Sequence, residues 1–191
     1  MTLTAYSQDL AGQFADPVTA IAQIMGFIPM IMGFFVFYSN DRKKTLATKA
    51  VCDTLFVVHF FMLSQWTGGL VCIVNALRGI LFSQKGRFKW SSTLFLPILF
   101  CLLTIGSSLM GWTGAKSLLP MIGSCLAVIG YWCHKPHYLR RFNLVGIGLW
   151  LIYGILTLSV STVIGNSIYI GSIIRTEIVQ ILQKRKEKRY G

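Results

Sequence analysis

Apolar residues run along this chain in blocks of roughly twenty, separated by short polar segments that carry nearly all of the charge. About 20 consecutive apolar residues cross a bilayer as a helix, and seven blocks approach that length: 18–38, 46–65, 67–84, 91–110, 117–134, 142–160 and 163–182. The pattern predicts an all-α polytopic membrane protein with seven transmembrane helices. Asp16 and Pro17 mark the first start as an N-cap and a first-turn proline, and Asn40-Asp41-Arg42 marks its end. The second and third blocks meet at Ser64-Gln65-Trp66-Thr67-Gly68-Gly69, a neutral turn whose Trp suits the headgroup layer. Residues 1–17 are left as an extracytoplasmic N-terminus and 183–191 as a basic cytoplasmic tail.

Composition agrees with this reading, because only 13% of the residues are charged against about 25% in soluble proteins. The net charge of +12 would suggest nucleic acid if the cations lined water-facing helices, but they cluster between apolar blocks, so no nucleic-acid partner is expected. The five cysteines all fall in or beside apolar blocks with no CxxC pair, which argues against a disulfide framework. Residues 1–20 hold no Lys or Arg, so the first block lacks a signal peptide's basic flank and is expected to stay as a helix. With the N-terminus outside, fifteen cations fall on the inner side (for example Arg42, Lys85, Arg140 and Lys184) and only Lys116 on the outer side. That bias predicts an N-out, C-in membrane protein. Arg78 and Arg175 are left inside apolar blocks.

Sliding the chain on itself by 97 residues lays 21–84 over 118–181 without a gap. Gly26 meets Gly123, Gly33 meets Gly130, Ser64 meets Ser161, Gly68 meets Gly165, Ile73 meets Ile170 and Arg78 meets Arg175. Two three-helix units that are parallel need an odd helix between them, and 91–110 supplies it. The expected plan is 3 + 1 + 3: a first repeat at 18–84, a linker helix at 91–110 and a second repeat at 117–182.

The stretches "MGFIPMIMGFFVFYSNDRKK", "VVHFFML", "NALRG" and "LLPMIGSCLAVIGYW" resemble the bacterial inner-membrane YgjV family over about residues 15–182. More distantly, the 3 + 1 + 3 plan resembles the SWEET and PQ-loop transporters and PnuC-type vitamin carriers. The SWEET resemblance implies an asparagine on the third helix of each bundle at a central solute site. Asn75 lies on the matching helix, whereas the second half has Ser172 there and no Pro-Gln dipeptide.

A rise of about 1.5 Å per residue gives depths from the basic loops. Asp53 and Arg78 each fall about 10 Å inside the inner face on neighbouring helices, where an ion pair is expected. His59 and Asn75 lie nearer the midplane, where carriers place substrate. Asn offers donors and an acceptor, and a neutral His can bind solute or take a coupling proton. In the second half Trp150 stands at the position of Asp53 and Leu156 at that of His59, leaving Tyr153, Asn166, Tyr169 and Ser172 as hydrogen-bonding groups. Arg175 then lacks an internal partner and is expected to snorkel towards the inner headgroups.

Cys133-His134-Lys135-Pro136-His137 offers too few ligands for a metal site, and nothing pairs a nucleophile with a base or cradles a phosphate. Neither enzyme activity nor a cofactor is expected. The favoured function is a small-solute carrier or facilitator with His59, Asn75, Tyr153, Tyr169 and Ser172 facing the solute and Asp53, Arg78 and Arg175 at the gate. Its partners are the lipid bilayer, a small polar solute and, compatibly, a second copy of the chain as a homo-oligomer. The alternative is a non-transporting membrane scaffold for a protein or lipid. The two differ in whether polar groups line a connected cavity or are buried in pairs.

Overall fold

A computed structural model describes residues 3–36, 42–87, 91, 93–133 and 136–190. They form eight α-helices: α1 (Leu3–Ala15), α2 (Pro17–Val36), α3 (Arg42–Met62), α4 (Trp66–Ser83), α5 (Phe95–Met110), α6 (Leu118–Trp132), α7 (Pro136–Leu156) and α8 (Val160–Tyr190), with a short 3-10 turn at Ala115–Ser117. α1 is an addition to the expected plan, which gave 1–17 only as an extracytoplasmic N-terminus without a helix of its own. Its Leu3, Tyr6, Leu10 and Phe14 recur at helical spacing, a stripe too short to register as an apolar block. α8 likewise runs on through the basic tail to Tyr190.

Among the described residues, three helices are both long and apolar enough to cross a membrane: Lys43–Met62, Trp66–Ser83 and Ala115–Trp132. Pro17–Gly33 and Phe95–Met110 are shorter apolar helices. Burial is inverted relative to a water-soluble protein: Gln23, Asp53, His59, Asn75, Arg78 and Asn143 are buried, while Ile21, Ile24, Ile28 and Ile31 of α2 and Ile98, Leu102 and Leu109 of α5 are exposed. Outward aliphatic side chains suit a hydrocarbon solvent, and inward polar ones find partners there.

Six helices close a ring, in which α2 packs on α3, α3 on α4, α4 on α6, α6 on α7, α7 on α8, and α8 back on α2. α5 lies outside it, against α4 and α6. Leu46, Val74, Phe82, Phe100, Val128 and Tyr131 knit α3, α4, α5 and α6 together. Phe56, Phe60, Cys72 and Tyr153 form a second cluster among α3, α4 and α7.

The α3–α4 and α7–α8 turns are the same turn. Ser64 (φ 55°) and Leu158 (φ 54°) are both left-handed. Around them Leu63 N–H donates to His59 O and Gln65 N–H to Phe60 O, as Thr157 N–H does to Tyr153 O and Ser159 N–H to Gly154 O. These equivalences set an offset of 94 residues (64 to 158) between the helix pairs α3–α4 and α7–α8, rather than the expected 97. The error of three residues is less than a 3.6-residue turn, so it rotates each equivalent about 60° off its face. Small residues recur at helix contacts for packing reasons, and their coincidences at 97 set the wrong register.

α2 starts where expected. Asp16 Oδ2 accepts from Thr19 N–H at 2.9 Å and from Thr19 Oγ1–H at 2.6 Å, capping the helix. These bonds hold the exposed Asp16 carboxyl below its ordinary pKa. A lowered folded pKa stabilises above the unfolded value of about 3.9 and is lost as pH falls through the folded one. Asp16→Ala is therefore expected to lower the melting temperature in detergent at pH 7, and the gap to the parent protein should shrink at pH 3. A gap that does not depend on pH would exclude the cap as its source.

Candidate functional site

Inside the ring lies a cavity that, counted together with the open space at its mouth, encloses about 660 Å³. Its walls come from α3 (Lys49, Asp53, Phe56, Phe60), α4 (Cys72, Asn75, Arg78), α6 (Gly123, Ser124, Ala127, Tyr131), α7 (Asn143, Gly146, Ile147, Trp150) and α8 (Thr162, Gly165, Asn166, Tyr169). At the offset of 94, ten of these positions form five equivalent pairs: Lys49 and Asn143, Asp53 and Ile147, Phe56 and Trp150, Cys72 and Asn166, Asn75 and Tyr169. The pair α3–α4 and the pair α7–α8 thus present corresponding faces to one space, with the charges supplied by α3 and α4.

Asp53, 2% exposed, pairs with Lys49 one turn earlier on α3. This corrects the expected Asp53–Arg78 bridge. An i, i+4 neighbour already lies on the carboxylate's face, whereas an arginine on α4 has to reach across the helix boundary. Arg78 turns to α6 instead: Nη1 donates to the Ser124 carbonyl at 3.2 Å, and the guanidinium lies 5.1 Å from the centre of the Tyr131 ring. Ser124 is a hub, since its hydroxyl also accepts from Asn75 Nδ2 at 3.0 Å and from Trp150 Nε1 at 3.2 Å. After these bonds Asp53 Oδ2, Asn75 Oδ1 and Arg78 Nε are buried without a hydrogen-bond partner. All three residues line the cavity.

Tyr169 also lines it, with its hydroxyl against α2 at Gly33, where a Cβ would fall 1.3 Å from the oxygen. His59 and Tyr153 do not line it, contrary to the expectation of solute contact. Six residues beyond Asp53 on α3, His59 sits about 9 Å further along and is fully buried. Its Nδ1–H donates to the Ala22 carbonyl at 2.8 Å, and Nε2 lies 2.7 Å from Ser159 Oγ. Tyr153, its equivalent at the offset of 94, accepts from Gly68 N–H at 3.1 Å. α3 therefore grips the start of α8, and α7 the start of α4. Gln23 adds to this lock, donating to Leu158 O at 2.7 Å and accepting from Val160 N–H at 3.1 Å. Thr67 joins the 111–117 loop through Gly111 O and Ser117 Oγ.

His59→Leu removes a donor to a buried carbonyl and a partner for Ser159, and is expected to cost about 1–3 kcal/mol. Detergent melting curves check this, and an unchanged midpoint would refute the structural role.

Ser172 and Arg175 lie away from the cavity: Ser172 is half-buried and Arg175 exposed on α8. The register explains the second, because at 94 the equivalent of Arg78 is Ser172 and Arg175 has rotated outward. Glu177 pairs with Arg140 of α7. The Cys133–His137 cluster falls partly outside the described residues, and no metal-binding group occurs among the described ones. Lys49 and Ser124 were missed by sequence reasoning. Lys49 read as a loop cation, and a serine in an apolar helix ordinarily bonds its own backbone.

Residues 20–184 match a family described as Imp-YgjV, bacterial inner membrane protein. The chain is 27% identical over 133 residues to the inner membrane protein YgjV of Escherichia coli (strain K12), covering 70% of this chain and 69% of that one. No solved structure matches.

Proposed function

Because the chain belongs to the Imp-YgjV family of bacterial inner membrane proteins, we propose that it is a carrier or facilitator holding a small polar solute between two three-helix units. One observation carries this reading. Asp53, Asn75 and Arg78, none more than 5% exposed, each leave a polar atom without a protein partner, and all face the same cavity. A buried unpaired polar group costs about 1–3 kcal/mol, so three on one wall are better accounted for by a solute that completes them than by a static scaffold. The paired groups around His59 are what a scaffold would show, but they lie at one end only.

In this reading α2–α4 and α6–α8 are parallel repeats joined by α5, and α2 to α8 make the seven spans. The turns at 63–65 and 157–159 and the 111–117 loop share one end, where the His59, Tyr153, Gln23 and Thr67 contacts form the closed gate. That end holds Lys116, whereas Lys85 bonds Trp132 O and Arg140 pairs with Glu177 at the other. The positive-inside rule makes the second end cytoplasmic. A C-terminal fluorescent-protein fusion is expected to fluoresce and a C-terminal alkaline phosphatase fusion to be inactive; the reverse would overturn the orientation.

Uptake into proteoliposomes tests the function, over a panel of sugars, nucleosides, vitamins, amino acids and organic acids, with and without a pH gradient. Uptake of at least one solute, abolished by Asn75→Leu in a variant that melts normally, is the expected result. No uptake across the panel in either condition favours the scaffold.

A further inference from the structure

Resting on that carrier reading, we propose that the solute is a small aromatic carboxylate that also bears a hydroxyl or amino donor. Charge is the first ground. Two buried or half-buried cations share one carboxylate: Asp53 is bridged by Lys49, and Arg78, 3% exposed, feels that charge from beyond salt-bridge distance while its own contacts are a backbone carbonyl and a tyrosine ring. A buried charge of this kind calls for an anion. The second ground is the unpaired set: Arg78 Nε needs an acceptor, while Asn75 Oδ1 and Asp53 Oδ2 need donors. Asn75 and Arg78 stand three residues apart on α4, with Cβ atoms roughly 5–6 Å apart, so the acceptor and donor they seek lie on one face of that helix. A carboxylate on Arg78 and an amino group towards Asn75 and Asp53 answer all three atoms, and a hydroxyl in its place, with one hydrogen, leaves two of them answered. A neutral sugar leaves the charge of Arg78 unmatched, and an inorganic anion without hydrogens leaves Asn75 and Asp53 unmet.

The third ground is the walls. Phe60 and Trp150 lie 5.8 Å apart by ring centres and line the cavity, and Tyr131 faces Arg78. Flat aromatic walls favour a flat ring between the polar ends.

The experiment measures binding by calorimetry to the full chain in lipid nanodiscs, with 3- and 4-hydroxybenzoate, 4-aminobenzoate, benzoate, phenol and aniline as probes. At least one hydroxy- or aminobenzoate is expected to bind tenfold or more tighter than phenol or aniline, and severalfold tighter than benzoate. Arg78→Gln should lower that affinity at least tenfold, and Asn75→Leu should erase the preference over benzoate. If Arg78→Gln fails to fold, Arg78→Lys, which keeps charge but loses Nε, should weaken the acids and leave phenol unchanged. The assignment is overturned if no acid binds, if phenol binds as well as its acid, or if a folded Arg78 variant keeps parent affinity. Binding of the acids without uptake would refute the carrier and keep the ligand class. Uptake of neutral solutes unaffected by the acids would do the opposite.

Discussion

Asp53→Ala is expected to destabilise the protein by about 3–5 kcal/mol, because it strands Lys49 without its counter-charge. The Lys49 side chain is 21% exposed and that of Asp53 3%, so the pair is screened far less than a surface bridge. Helix propensity does not account for it, since Lys preceding the acid at i, i+4 is the weaker order. The control is the double variant Lys49→Met, Asp53→Leu. Removing both partners removes the stranded charge, so the double variant should melt within about 1–2 kcal/mol of the parent protein. A double variant at least as unstable as the sum of the singles would show that the two residues do not stabilise each other. Stability and function should also separate. The double variant lacks Asp53 Oδ2 and its charge, so it is expected to fold and yet bind solute poorly.

The same pair shows where the sequence was legible and where it was not. Apolar blocks are long-range averages, and the boundaries of α3, α4 and α6 were readable from them with small errors. Counting residues singled out Asp53, Asn75 and Arg78 as polar groups within apolar blocks, and all three line one cavity. Who pairs with whom did not follow. Depth alone cannot tell a neighbour on the next helix from one a turn away, so Lys49 was assigned to the loop charges and Arg78 to Asp53. Likewise His59 and Tyr153 have the chemistry of solute ligands, but their partners are Ala22, Ser159 and Gly68, brought close only by ring closure. The likeness of α3–α4 to α7–α8 left a weak self-match in the sequence. Its register needed the two left-handed turns at Ser64 and Leu158, because backbone conformation leaves no trace in the identities that were counted.

Gly146→Ala is expected to be among the most damaging single-methyl changes in the chain. α6 and α7 touch backbone to backbone at Gly123 and Gly146: a Cβ on Gly146 would lie 2.7 Å from the Gly123 carbonyl oxygen, and one on Gly123 2.8 Å from that of Gly146. Neither oxygen can rotate away as a side chain can, so the helices must separate. Overpacking of this kind costs about 1–3 kcal/mol, and more with a larger residue such as Val. Two residues along α7, Gly148 has nothing within 4 Å of a Cβ. Gly148→Ala should therefore be neutral or stabilise by up to about 1 kcal/mol, through helix propensity alone. The consequence reaches the cavity, because Ser124, next to Gly123, positions both Asn75 and Arg78. Gly146→Ala is expected to weaken solute binding as well as lower the melting temperature, and Gly148→Ala to do neither. Equal melting of the two variants would remove the close contact as the reason for glycine at position 146.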